Sequence, residues 1–430
     1  MNRLLHAFGA TLLIQLSGML TGVVAARLLG PAGRGTLAEI TSWALGLAAL
    51  GCLSINAAVV YFAAKSGTAQ EQSRVLGTAL TVAAGTSAVT LCIAAGLIAA
   101  IYVGTDGALW TAIVLGLLAI PLFHFGYVLT PMLQTLGSAR TYALVRITPA
   151  VVGAAFAVMF LLTELGRTVE WYLGASVVAS SAAIAVCVLG LRRLRVAVGR
   201  PNRELAAKLV AFAVRSHPAA IGGQRENIDR LVLAAFVPAA ALGQYAVAAT
   251  LPAILLALAS TLDLVLFPRL ALSREPEQAR ALFGRAARLA TLVLALAAIL
   301  LAVASLLFVP LLFGDEYDAA SRLGPIMCAT YFLVGARLVI GSGFVGFGQP
   351  FRHSRGDVVV LGVSMVAIPL GAAAGGVEGA AWAALLAQFA AFGLALASLK
   401  AGIGISAREV FRYGAADLAF LKTMIPRARV

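Results

Sequence analysis

The chain has 430 residues, of which 61% are hydrophobic and 12% are charged, and its mean hydropathy is +0.97. Soluble domains carry about a quarter charged residues, so this composition excludes a soluble protein and predicts an integral membrane protein. The formal net charge of +14 is spread over short connections and the C-terminal segment. That distribution favours contact with anionic lipid headgroups over contact with nucleic acid.

Twelve apolar runs long enough to cross a bilayer follow one another along the chain. Because backbone groups in lipid must be hydrogen-bonded within their own segment, the runs predict transmembrane helices. The predicted spans are Phe8–Leu28, Leu37–Val60, Leu76–Val103, Leu109–Met132, Tyr142–Leu162, Trp171–Leu191, Leu209–Phe236, Tyr245–Phe267, Ala287–Phe313, Leu323–Val345, Val358–Ala374 and Ala380–Leu399. They leave no room for a separate catalytic domain.

The connections between these spans alternate in charge. Those after even-numbered spans are basic. Arg140 and Arg146 are counted with the connection after the fourth span, and the longest connection, after the sixth, runs from Arg192 to Arg215. Those after odd-numbered spans are mostly neutral or acidic. Because membranes hold Lys and Arg on their cytoplasmic side, the pattern predicts a multi-pass protein of the cytoplasmic (inner) membrane with both termini in the cytoplasm.

The longest basic connection divides the predicted helices into two sets of six. Short motifs also repeat about half a chain length apart, such as Pro31-Ala-Gly-Arg-Gly35 and Pro238-Ala-Ala-Ala-Leu-Gly243. The sequence therefore predicts an all-α membrane protein with two six-helix lobes around a cavity. The predicted segments are an N-terminal lobe (1–191), a basic connection (192–208), a C-terminal lobe (209–399) and a cytoplasmic amphipathic tail (400–430).

The densest charged group within a span lies in the seventh. Arg225 with Asp229, and Glu226 with Arg230, are four residues apart, a spacing at which side chains can pair along a helix. Such pairs either fix the helix in the bundle or serve a substrate site. Because burying ion pairs is rarely stabilising, we favour a substrate site.

Other charged residues lie within or beside spans, where charge is costly and faces an interior or a wet cavity. Arg27 and Arg337 are predicted to face the cavity, because the planar guanidinium group suits phosphate. Glu39 and Asp263 are predicted either to bind a coupling ion or to pair with those arginines. Arg34 is predicted to contact lipid headgroups.

Nothing in the chain indicates an enzyme. The four cysteines and four histidines are scattered, so neither a metal site nor a cofactor is predicted. Gly341-Ser-Gly343-Phe-Val-Gly346 has the spacing of a dinucleotide-binding motif but follows no predicted strand. We find no nucleophile with a matching base and no paired carboxylates.

Several motifs resemble those of a known group. Ala26-Arg-Leu-Leu-Gly-Pro-Ala-Gly-Arg-Gly35 ends the first span, Ile228-Asp-Arg-Leu-Val-Leu233 lies in the seventh, and Leu312-Phe-Gly-Asp-Glu-Tyr317 ends the ninth. They resemble the polysaccharide biosynthesis proteins that flip lipid-linked oligosaccharides. That family belongs to a superfamily with the multidrug and toxin extrusion (MATE) antiporters and the peptidoglycan lipid flippases.

The resemblance implies a MATE-like, V-shaped fold with a cationic cavity. It also implies movement of a polyprenyl-pyrophosphate glycan to the outer leaflet by alternating access. Expected partners are membrane lipids, the lipid-linked oligosaccharide, and the glycosyltransferases and polymerase of its pathway; a sodium ion or a proton is the expected coupling ion. The peptidoglycan lipid flippases usually have more helices than are predicted here, which argues against their cargo. Two alternatives stay open: an ion-coupled exporter of cationic drugs, and a scaffold or glycosyltransferase of polymer assembly.

Overall fold

The computed structural model describes residues 2–102, 107–137, 139–222, 225–271 and 275–414. Almost all of these residues are helical, and none of these ranges contains a β-strand. The helices are α1 (Asn2–Gly51), α2 (Ile55–Lys65), α3 (Ala69–Ile101), α4 (Gly107–Leu117), α5 (Ala119–Leu136), α6 (Ala139–Leu162), α7 (Val169–Arg193), α8 (Arg203–Gly222), α9 (Arg225–Ala234), α10 (Ala239–Ala248), α11 (Ala253–Ala271), α12 (Pro276–Phe313), α13 (Asp318–Gly346), α14 (Pro350–Gly402) and α15 (Ala407–Phe411). The all-α prediction is confirmed.

Two helices each run through more than one predicted span: α14 contains the last two, and α1 contains the first and most of the second, which breaks between Gly51 and Ile55. Helix α1 is interrupted at Gly30, which has φ 66° and ψ 178°, and α14 is interrupted at Gly375 and at Gly376, whose φ is 58°. Glycine reaches positive φ without the steric penalty of a side chain. In α1 the next residue is Pro31, whose fixed φ suits the first position of a new helical segment. The first and last connections are therefore kinks and not loops.

Eight helices of the described ranges are long and apolar enough to cross a membrane. Counting the pair Ala239–Ala248 and Ala253–Leu262 as one bent span gives nine. The kinked helices α1 and α14 are each counted once in this total, although each holds all or most of two predicted spans. The protein is thus a multi-pass membrane protein, and the number twelve stays a prediction.

Contacts divide the chain into two compact units, residues 9–246 and residues 247–430, the latter together with residues 1–8. In the first unit, buried side chains of α2, α3, α5 and α8 form one apolar core that includes Leu76, Met132 and Leu209. In the second unit, Phe283 and Phe344 belong to a core shared by α12, α13 and α14. The two six-helix lobes that the sequence predicts, residues 1–191 and 209–399, are defined by duplication and stay a prediction.

The motifs Pro31–Gly35 and Pro238–Gly243, which repeat about half a chain length apart, lie against each other in the first unit. A Cβ atom added to Gly35 would lie 1.7 Å from the carbonyl oxygen of Ala239, and one added to Gly243 would lie 2.0 Å from that of Pro31. Only glycine permits this approach of two helix backbones. The contact fixes the second half of α1 beside α10, and Arg34 lies next to it in the chain.

The C-terminal segment docks on the second unit as far as the structure describes it. Helix α15 begins with a capping box between Ser406 and Glu409, and Val410 is fully buried in the unit's core. Hydrogen bonds from the backbone N–H and the hydroxyl of Ser406 hold the pKa of the Glu409 carboxyl below its usual value. Arg280 Nε donates to the carbonyl oxygen of Ile403 at 2.9 Å. The rest of the predicted amphipathic tail lies outside the described residues.

Candidate functional site

A cavity of about 500 Å³ lies within the first unit, between α1, α6, α7 and α9. Helix α6 lines it from Arg146 to Phe160, which at the rise of an α-helix corresponds to about 21 Å. Much of its wall is small or apolar, and its uncharged polar side chains are Ser17, Thr21, Thr41, Tyr172, Ser176 and Ser180. We call this space the arginine cavity, because all of its charged lining residues are arginines.

Those arginines are Arg34 of α1, Arg146 of α6 and Arg230 of α9. Arg34 and Arg230 are half-buried, whereas Arg146 is exposed. No carboxylate is among the lining residues that the structure describes. A concave surface lined by one sign of charge and by apolar walls concentrates ligands of the opposite sign. The arrangement suits an anion with several oxygen atoms, such as a phosphate ester.

Helix α9 presents Arg230 together with a carboxylate one turn earlier. The Nη2 atom of Arg230 donates to Oε1 of Glu226, and the two side chains are 18% and 37% exposed. The pair that the spacing predicted is therefore present, and it offsets part of the charge of Arg230. Asp229 of the same helix is buried at 2% exposure. Arg225 begins α9, but its side chain and its predicted pairing with Asp229 lie outside the described residues.

Tyr172 lies in the wall beside Arg34. Its ring meets that of Phe160 edge to face, with centroids 4.9 Å apart, and Arg34 is near enough to interact with it electrostatically. Among the described residues, the Tyr172 hydroxyl has no hydrogen-bond partner. Tyr172 thus contributes to the cavity wall, while its hydroxyl is closed to solvent.

None of the other predicted residues is among the described lining residues of the arginine cavity. Arg27 is exposed on α1 and is not among the lining residues. Glu39 accepts a hydrogen bond from the hydroxyl of Tyr102 beside a small separate cleft. Asp263 belongs to α11, and its side chain lies outside the described residues.

Arg337 forms a buried ion pair in the second unit. Its Nη1 atom lies 2.5 Å from Oδ1 of Asp357, and the two side chains are 8% and 9% exposed. A Cβ on Gly356 would lie 3.2 Å from the same nitrogen, so the glycine leaves room for the guanidinium group. Arg337 thus joins α13 to α14.

Two of the three lining arginines were not predicted as site residues. Arg34 was predicted to contact headgroups, and Arg146 was counted with a cytoplasmic connection. The sequence contained a signal for Arg146, because it lies within the fifth predicted span and one turn before Pro149. Only the packing of α1 against α6 and α7 shows that these charges line one space.

Solved structures with the same architecture match nearly the whole chain. An inward-facing multidrug resistance MATE family transporter of the MOP superfamily has a TM-score of 0.68 and 14% identity, covering 98% of this chain and 99% of its own. The lipid II flippase MurJ in an inward closed conformation gives 0.70 and 10%, with coverages of 97% and 92%. The bent form of the Vibrio cholerae MATE transporter VcmN gives 0.60 and 16%, with coverages of 96% and 98%. The protein is therefore an all-α membrane protein with the MATE-like fold.

The family follows from the sequence. Residues 24–322 match the family described as polysaccharide biosynthesis protein. The chain belongs to this family, as its motifs predicted. No curated protein matches its sequence.

Proposed function

We propose that the protein is a flippase that moves a polyprenyl-pyrophosphate-linked oligosaccharide from the inner to the outer leaflet of the cytoplasmic membrane, for surface polysaccharide biosynthesis. The observation that carries this proposal is the arginine cavity, with three guanidinium groups and no described carboxylate among its lining residues. Membership of the polysaccharide biosynthesis family supports it. So does the likeness of the fold to that of a lipid II flippase.

In this proposal the cavity binds the pyrophosphate while the prenyl chain stays in lipid. The charge pattern assigns Arg146 to the cytoplasmic end of its span and Arg34 to the outer end of the first. The pyrophosphate first meets the exposed Arg146 and then the half-buried Arg34 and Arg230. Rocking of one lobe against the other opens the cavity to each side in turn. The protein carries out transport without covalent chemistry.

The other predicted residues keep supporting roles in this proposal. Arg27, Arg225 and Arg337 stay predicted contributors to cargo binding. A sodium ion or a proton drives the cycle through a carboxylate, for which Asp229, Glu39 and Asp263 are the candidates. Loss of transport on collapse of a sodium gradient, or of a proton gradient, distinguishes the two ions.

The second candidate function is ion-coupled export of cationic drugs. The fold favours it, since multidrug MATE transporters share the fold over nearly the whole chain. The charge of the cavity disfavours it, because three arginines repel a cation. A cation site is better built from carboxylates and aromatic faces.

The test of the proposed function is deletion of the gene in the source organism, followed by complementation. We expect loss of surface glycan and accumulation of the lipid-linked precursor, both corrected by the intact protein. The Arg34→Gln, Arg146→Gln, Arg230→Gln triple variant should not correct them at equal protein levels. Sensitivity to cationic drugs with unchanged surface glycan would instead establish the exporter.

A further inference from the structure

A second cavity adjoins the arginine cavity in the first unit. It encloses about 390 Å³, within the range of sites that hold small ligands. Pro149 of α6 and Ser180 of α7 line both spaces. The two spaces therefore lie side by side along α6 and α7.

The lining of this second cavity differs in chemistry from that of the first. It includes amide and hydroxyl side chains and aromatic rings, and none of its described lining residues is Asp, Glu, Lys or Arg. The rings of Phe123 and Tyr127 are stacked, with centroids 4.2 Å apart. Such faces cover the apolar C–H surface of a ring-shaped ligand, while amides bind its hydroxyl groups. We call this space the polar-aromatic cavity.

Asn56 is the residue that points most directly to a ligand. Its Oδ1 atom is buried without a hydrogen-bond partner among the described residues, and the residue lines the polar-aromatic cavity. A buried acceptor left unpaired is costly. The atom is closed to solvent, so a turn of the amide toward the cavity would let a hydroxyl donor of a bound molecule remove that cost.

A break between α1 and α2 determines where Asn56 lies. Leu53 and Ser54 have φ of 50° and 60°, a left-handed conformation that non-glycine residues rarely adopt. The hydroxyl of Ser54 is hydrogen-bonded to Nδ1 of His217 at 3.0 Å, which anchors the break to α8. Strained backbone of this kind persists where the surrounding structure fixes it, often beside a site.

Resting on the proposed function, we propose that the polar-aromatic cavity binds the sugar attached to the pyrophosphate, and that this sugar is uncharged. The class is a neutral hexose or an N-acetylhexosamine. A uronic acid would place a carboxylate among lining residues that supply no cation, and an unpaired buried charge is costly. The arginine cavity then selects the phosphates, and the polar-aromatic cavity selects the first sugar.

The test measures the binding of three probes to the purified full-length protein in nanodiscs. The probes are a short-chain prenyl pyrophosphate, the same compound carrying N-acetylglucosamine, and the same compound carrying glucuronic acid. We expect the N-acetylglucosamine compound to bind about tenfold more tightly than the bare pyrophosphate, as one or two net hydrogen bonds would provide. The glucuronic acid compound should show no such gain.

Two variants of the cavity locate the effect. Asn56→Leu and Gln134→Leu should each reduce the gain from the neutral sugar without changing the binding of the bare pyrophosphate. Asn56→Leu should also keep the melting temperature, because it removes an unpaired acceptor, and Gln134 is exposed. Gln70→Leu, the same change at an exposed position outside both cavities, is the matched control.

The outcomes separate this proposal from the proposed function. If the bare pyrophosphate binds and Arg230→Gln weakens it, but the neutral sugar adds nothing, the sugar site is refuted and the flippase proposal stands. An equal or larger gain from glucuronic acid, or a gain kept in both cavity variants, also refutes the sugar site. If no probe binds, both proposals are wrong.

Discussion

Replacing Arg146 by glutamine tests the electrostatic role of the arginine cavity most cleanly. The change removes one positive charge from the lining and keeps a polar side chain of similar reach. A unit charge pair at about 4 Å is worth about 4 kcal/mol at an effective dielectric constant of about 20, before desolvation is counted. A hydrogen bond to a charged group contributes about 1.5–3 kcal/mol net.

The burial of each arginine determines how much of this interaction energy its replacement removes. Arg146 is exposed and is assigned to the cytoplasmic end of its span, where solvent would screen its charge, so we expect about 1.5 kcal/mol, or about a tenfold rise in Kd. The side chain of Arg230 is only 18% exposed, so Arg230→Gln should cost more, up to about a hundredfold. Added salt should reduce the difference in Kd between the wild type and Arg146→Gln. The difference in Kd between the wild type and Arg230→Gln should fall less.

The assay is equilibrium binding of a short-chain prenyl pyrophosphate to the protein in nanodiscs. Arg140→Gln is the matched control, because Arg140 is exposed near the start of the same helix and does not line the cavity. It changes the net charge equally. Equal losses of binding affinity in Arg146→Gln and Arg140→Gln would show that general surface charge attracts the ligand. The electrostatic role of the arginine cavity would then be refuted.

Three further predictions concern packing and ion pairs. Asp357→Asn should lower the stability of the second unit by about 3–5 kcal/mol, because it leaves Arg337 buried without its counter-charge, and thermal unfolding in detergent measures this. Gly35→Ala should lower the melting temperature, since the new Cβ would lie 1.7 Å from a carbonyl oxygen of α10 and overpacking costs about 1–3 kcal/mol. Glu226→Gln should tighten binding of prenyl pyrophosphate about twofold to fivefold, because it releases the cavity arginine one turn along α9 from a partly exposed pair.

Each of these predictions has its own control. Replacing both members of the buried pair, as Arg337→Met with Asp357→Leu, should restore most of the stability lost in the single variant. Gly85→Ala places a methyl group where no atom lies within 4 Å, so it should not destabilise. A melting temperature unchanged by Gly35→Ala would contradict the close approach of α1 and α10. Weaker binding by Glu226→Gln would mean that the carboxylate itself serves the ligand.

The sequence was sufficient for the fold class and the family but not for the connections. Apolar runs indicate segments that lie in lipid, so the all-α membrane fold was predictable, whereas the number of spans stays a prediction. The kink at Gly30 was not predictable, because Gly30 followed by Pro31 is as typical of a loop as of a kink within one helix. The Glu226–Arg230 pair was predictable because it depends only on spacing along one helix.

The site was less predictable than the fold because its residues come from separate helices. Arg34 and Arg230 are almost two hundred positions apart in the chain, and their shared cavity depends on how α1 packs with α6, α7 and α9. Asp357 was missed for a related reason. It precedes the eleventh predicted span by one residue, so a pattern of apolar runs counts it with the connection.

Flipping in proteoliposomes tests the central claim most directly. A fluorescent prenyl-pyrophosphate sugar is reconstituted with the protein, and an impermeant reductant then quenches the label in the outer leaflet. If the protein is a flippase, it should expose the inner-leaflet pool and bring the quenched fraction from about half toward completion. The control variant Arg140→Gln should do the same. The Arg34→Gln, Arg146→Gln, Arg230→Gln triple variant should stay near half. Equal quenching by the triple variant and the wild type would contradict the role of the arginine cavity, and no quenching beyond half by the wild type would contradict the flippase itself.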